Sequence, residues 1–148
     1  RTLLVTGDAR LGGLFVLGGL NSLDVRTEPL VQRGLFERWW ERVGRDPAFD
    51  TGRAEATFRG MLGDAGVTVR RDAGAVVPTV QEGRVVGVRV GGRPFRAPQV
   101  VDATADGDLA AAAGAPYTFG FRSLGLDARM ADTLVFRIVG VDWDALEA

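Results

Sequence analysis

Val67-Thr68-Val69-Arg70 is a short β-type run, and three more such runs follow it, at residues 75–80, 84–90 and 94–97. Glu82-Gly83 and Gly91-Gly92 part the last three, and both pairs suit tight hairpin turns. Residues 75–97 therefore read as an antiparallel meander. Upstream, residues 2–6 form another buried run, bounded by Gly7 and Asp8, and two helical stretches separate it from residue 67. Strand, loop, helices and strand, in that order, describe a crossover unit with parallel strands. A parallel crossover joined to a meander makes the chain an α/β protein.

The helices carry their own punctuation. Thr27-Glu28-Pro29 opens the first, with Pro29 suited to its first turn, and it is expected to run to about Val43. Leu35, Trp39 and Val43 fall on one stripe, with Phe36 and Trp40 beside it, and Gly44 and Pro47 end the helix. Asp50 is the N-cap of the second helix, which places Ala54, Phe58, Leu62 and Ala65 on one face and stops at Gly66. Beyond the meander, Gln99-Val100-Val101-Asp102 reads as a buried strand and residues 106–113 as a helix closed by Gly114. Residues 133–139 read as one more strand. The order of elements divides the chain at residue 118, with 119–148 opening a second region.

Composition narrows the chemistry. The 148 residues are 46% hydrophobic and 25% charged, with a net charge of −1, the balance of a soluble globular domain. All 18 basic residues are arginine, and they scatter without forming a stripe. Neither nucleic acid nor a membrane surface is therefore expected as a partner. With no cysteine and no histidine, thiolate nucleophiles, disulfides, iron–sulfur ligation and His-based zinc sites are excluded. The absence of lysine excludes a Schiff base. Redox chemistry, if present, needs a bound organic cofactor. No run reads as a membrane span or a signal peptide, so a cytoplasmic location is expected. The start at Arg1, directly before the apolar run Thr2-Leu3-Leu4-Val5, leads us to expect further sequence upstream.

Two stretches could hold a ligand. Arg10-Leu11-Gly12-Gly13 follows the opening strand, and paired glycines allow a backbone to approach a ligand closely. A plain turn beside a solvated arginine explains the same residues. Asp102-Ala103-Thr104-Ala105-Asp106-Gly107-Asp108 carries the chain from a strand into a helix N-terminus, whose orphan amides attract anions. Asp106 or Asp108 could simply cap that helix, and the two readings are compatible. The acidic spacing also suggests a calcium loop, but its twelfth position would be Ala113, where a glutamate is required. No metal site is expected. Phe36, Trp39 and Trp40 have the spacing of a helical core, and Tyr117 stands alone in a loop. No residue is assigned a catalytic role.

Taken together, the motifs resemble the FAD-dependent oxidoreductase family built on the glutathione-reductase-like FAD domain. The resemblance rests on Leu11-Gly12-Gly13, Gly18-Gly19-Leu20-Asn21-Ser22, Asp64-Ala65-Gly66-Val67, Gly83-Arg84-Val85-Val86-Gly87-Val88, Val100-Val101-Asp102-Ala103-Thr104, Asp106-Gly107-Asp108-Leu109-Ala110 and Ala113-Gly114-Ala115-Pro116-Tyr117. It covers nearly the whole chain and is most specific at residues 100–117. It implies a Rossmann-like FAD-binding domain with a parallel sheet and a meander crossover, its first βα unit missing. By matching positions, it places Arg10, Leu11, Gly12 and Gly13 beside the adenosine and pyrophosphate of FAD, and the backbone of Ala75 and Val76 at the adenine. Ala103 and Thr104 would pass the phosphates, while Gly107 and Asp108 would face the ribityl or pyrophosphate region.

This sequence departs from the family pattern in three places. The first strand with its Gly-x-Gly-x-x-Gly loop is absent. Thr6, with Asp8 two residues on, occupies the end of the second strand, where an acidic residue usually holds the adenosine ribose. Ala105 stands where glycine is common. The resemblance implies hydride or electron transfer between FAD and an unidentified small organic substrate. The alternative is a non-catalytic nucleotide-binding or scaffold domain that has lost its glycine loop.

Overall fold

Leu3–Val5 (β1) and Thr68–Arg70 (β2) pair in parallel, with Leu3 opposite Thr68, Leu4 opposite Val69 and Val5 opposite Arg70. This is the crossover expected from the order of runs. It is seen in a computed structural model that describes residues 1–23, 33–71, 73–129, 131–136 and 138–146. The chain forms two compact units: Arg1–Ala9 with Val67–Ala131, and Arg10–Gly66 with Asp132–Ala148.

In the first unit the parallel pair is extended by Thr6 N–H donating to Arg70 O and Thr68 N–H donating to Thr2 O, both at 3.0 Å. The meander follows as Val76–Gln81 (β3), Arg84–Val90 (β4) and Arg93–Arg96 (β5), antiparallel in that order. Its turns are the expected pairs, with positive φ at Glu82 (49°), Gly83 (73°), Gly91 (52°) and Gly92 (81°). Such pairs match the right-handed twist of the flanking strands. Pro78 and Pro94 lie on the two outer strands, where a missing N–H breaks no central ladder. The register slips between Thr79 and Val80, a bulge that leaves Val86 as the extra residue on β4. Val90 is buried, and a short helix at Asp108–Ala112 (α4) packs against β3.

The second unit is built on helices. Gly13–Val16 (α1) and Leu35–Val43 (α2) both pack on Thr51–Asp64 (α3). Asp50 caps α3 as expected, its Oδ1 accepting from Arg53 N–H at 2.7 Å. Fully buried Ala54 lets the helices approach closely, and the core around it holds Val16, Trp39, Trp40, Val43 and Phe49. Trp39 lies between Phe15 and Phe58, with ring centroids 5.5 and 5.2 Å away and planes tilted by only 17° and 12°. Phe49 meets it edge-on at 5.2 Å. The aromatic group is therefore core, each buried ring contributing about 1.5–3 kcal/mol. Trp40 Nε1–H donates to Asp46 O at 3.2 Å, whereas Trp39 Nε1 is buried without a partner, an omission that costs about 1–3 kcal/mol.

Six expectations need correction. The helix expected to run from Thr27-Glu28-Pro29 to Val43 starts, among the described residues, at Leu35. Gly34 precedes it at φ 75° and ψ −130°, a conformation that no helix continues through. Its expected opening lies outside the described residues. Leu35 is 71% exposed instead of lying on the buried stripe, and Ala65 at the end of α3 is exposed too. Residues 99–102 form no strand, and Val101 is 84% exposed: no described strand pairs with them. The helix expected at 106–113 begins two residues late, since Gly107 sits in the left-handed region at φ 71°. Residues 133–139, where described, form no strand either: they find no partner ladder among the described residues.

Candidate functional site

The expected cofactor residues fall into two groups, one in each unit. In the first unit, Ala103, Thr104, Gly107 and Asp108 share the turn that leads into α4. Asp102 organises it. Its Oδ1 accepts from Thr104 N–H at 2.9 Å and from Thr104 Oγ1–H at 2.7 Å, and its Oδ2 accepts from Ala110 N–H at 2.7 Å. Thr104 Oγ1 in turn accepts from Asp108 N–H at 3.0 Å. The hydrogen bond from the Thr104 side chain is the main reason the Asp102 carboxyl is held below the usual aspartate range. Bonds from the Thr104, Ala110 and Leu109 amides add to it.

Helix α4 is thus capped by Asp102 and Thr104, not by Asp106 or Asp108, and the cap residue Gly107 makes no side-chain bond. Two of the amides expected to attract an anion are already taken from within the chain. What the turn offers outward is an exposed backbone from Ala103 to Asp106, with small side chains at Ala103 and Ala105. A Cβ built on Gly107 would meet nothing within 4 Å. Val76 opens β3, the strand on which α4 packs, and Ala75 directly precedes it. The Ala75 carbonyl accepts from Gly91 N–H at 3.1 Å, and Val76 is paired with Val90.

In the second unit, Arg10, Leu11, Gly12 and Gly13 form one loop tied to α3. Arg10 Nε–H donates to Glu55 Oε2 at 2.7 Å, and Glu55 Oε1 accepts from Leu11 N–H at 3.4 Å. The Arg10 hydrogen bond is the leading cause of a Glu55 carboxyl held below its ordinary value, and the charge of Arg59 helps. The two glycines differ. A Cβ on Gly12 would lie 2.3 Å from Val16 Cγ2 and 3.0 Å from Phe58 Cε2, so its close approach is to the core. Gly13, at φ 46°, faces open space. Sequence reasoning missed Glu55, because nothing near it in the chain points to residue 10.

Two open hollows, about 330 and 480 Å³, lie in the first unit. Arg122, Gly125, Leu126 and Asp127 line the smaller, and Tyr117, Thr118, Phe119, Arg122 and Ser123 the larger. Neither contains an expected cofactor residue. No helix among the described residues is long and apolar enough to cross a membrane.

The model of the FAD dependent oxidoreductase family matches residues 1–147. The chain belongs to that family. FAD is the family's cofactor, and a mixed fold with a parallel pair and an antiparallel sheet is consistent with membership. No curated protein and no solved structure matches the chain. In each unit taken by itself, one expected glycine has an open side, Gly13 in the loop and Gly107 in the turn.

Proposed function

We propose that this chain is the FAD-holding part of an oxidoreductase that moves hydride or electrons to or from a small organic substrate. The observation that carries the reading is the family match over residues 1–147. The proposal takes the domain to be Rossmann-like and related to the glutathione-reductase-like FAD domains. In this reading residues 1–118 contribute to the FAD-binding domain, and 119–148 open a substrate or cap region.

FAD supplies the redox chemistry, which suits a chain without cysteine or histidine. The chain's own residues bind and orient. Arg10 presents a guanidinium toward the pyrophosphate, with Leu11, Gly12 and Gly13 carrying the backbone beside it, Gly13 on the open side. Ala75 and Val76 flank the adenine. Ala103 and Thr104 pass the phosphates with their outer backbone, and Gly107 and Asp108 adjoin the ribityl chain, where a carboxylate can accept from hydroxyls.

Purification of the full-length protein is the test. A yellow protein whose flavin absorbance bleaches on chemical reduction and returns in air is expected. A colourless protein that fails to take up added FAD would favour a scaffold domain instead.

A further inference from the structure

Arg10 is held along one edge only. Its Nε–H is taken by Glu55, while among the described residues its two Nη groups have no protein partner and the side chain is 43% exposed. Glu55 itself is only 14% exposed and projects from α3 beside Ala54, which is wholly buried in the core. The carboxylate therefore stands on a rigid base. Its second oxygen holds the Leu11 amide, so side chain and backbone of the loop are gripped together.

We propose that Glu55 is a positioning residue for FAD, fixing Arg10 by its Nε edge so that the Nη groups face the cofactor's pyrophosphate. The inference rests on the reading that residues 10–13 flank that pyrophosphate. A guanidinium suits the task because its donors are planar and fixed relative to one another: one edge can be anchored while another grips phosphate oxygens. A lysine could do one or the other.

The experiment is a double-mutant cycle on the affinity of the full-length apoprotein for FAD, read by quenching of flavin fluorescence, with the melting temperature of each variant recorded. Glu55→Gln should raise the Kd for FAD about tenfold, the size of a lost charge-assisted hydrogen bond. In an Arg10→Gln background the same change should have no further effect. Persistence of the Glu55→Gln loss in that background would show Glu55 acting through the Leu11 amide or the fold of α3, overturning the proposal. So would an unchanged Kd for Glu55→Gln where Arg10→Gln weakens binding. If Arg10→Gln itself leaves Kd unchanged, the reading of residues 10–13 fails first and takes this inference with it. Arg10→Lys covers the case in which Glu55→Gln does not fold. It should weaken FAD as much as Arg10→Gln does, and wild-type affinity for the lysine variant would overturn the two-edge role.

Discussion

The loop at residues 10–13 and the turn at residues 102–108 both lead through glycine into a short helix, yet they are held in opposite ways. The turn is tied by its own residues: every bond reaches eight residues or fewer, and Asp102 and Thr104 make them all. The loop is tied from 45 residues away by Glu55, and Gly12 is pressed against Val16 and Phe58. A locally tied turn keeps its shape independently of core packing. A loop tied at a distance is only as well placed as the helix that holds it. Substitutions in the two segments should therefore separate sharply.

The largest effect is expected at Gly12. Its φ of 111° and the 2.3 Å approach of Val16 leave no room for a methyl group. Gly12→Ala in the full-length apoprotein should cost about 3 kcal/mol, measured by urea unfolding. Gly13→Ala should cost only about 1 kcal/mol, because its space is open and only the left-handed φ resists. Equal costs at the two positions would mean that the loop is not packed on the core.

Asp102→Asn comes next, and pH distinguishes it. The asparagine keeps an oxygen for Thr104 but cannot accept from the Ala110 amide, so the apoprotein should melt a few degrees lower at neutral pH. The wild-type carboxyl titrates below its ordinary value of 3.8. Its stabilisation is therefore complete above that value and fades as pH falls through the lowered one. The gap between the two melting temperatures should close in acid. A gap that stays constant with pH would mean that the carboxylate's charge contributes nothing to the turn.

The same contrast explains what could be read from sequence. The β1–β2 crossover, the meander with its two turns and the Asp50 cap were legible because each is signalled by neighbouring residues. The aromatic core was legible from helical spacing. Residues 99–102 misled because a short apolar run does not carry the identity of its partner strand, and none of the described strands pairs with it. The break at Gly34 was not legible, because a single glycine within a helical stretch does not by itself announce a positive φ. At the site, the position of the 102–108 turn was legible but its wiring was assigned to the wrong aspartates. A cap contributed from eight residues upstream lies outside the usual N-cap spacing. Glu55 was illegible, since only the packing of α3 brings it to Arg10.

The smallest effect on stability is expected at Asp108, and it bears on whether the turn does more than hold itself together. Asp108 is the first residue of α4, and its amide is already served by Thr104. Among the described residues its carboxylate makes no hydrogen bond. Only its favourable place in the first helical turn would be lost on substitution, a contribution of about 0.3–0.5 kcal/mol at an exposed site. Asp108→Asn should therefore leave the melting temperature of the full-length apoprotein almost unmoved, in contrast to Asp102→Asn. If the carboxylate accepts from ribityl hydroxyls, as proposed, the same variant should bind FAD several-fold more weakly, because an amide offers one acceptor oxygen in place of two. The pair of variants then splits the turn into a residue that shapes it and a residue that uses it. A fall in apoprotein stability for Asp108→Asn with unchanged FAD affinity would reverse the assignment and leave the turn without a ligand-facing carboxylate.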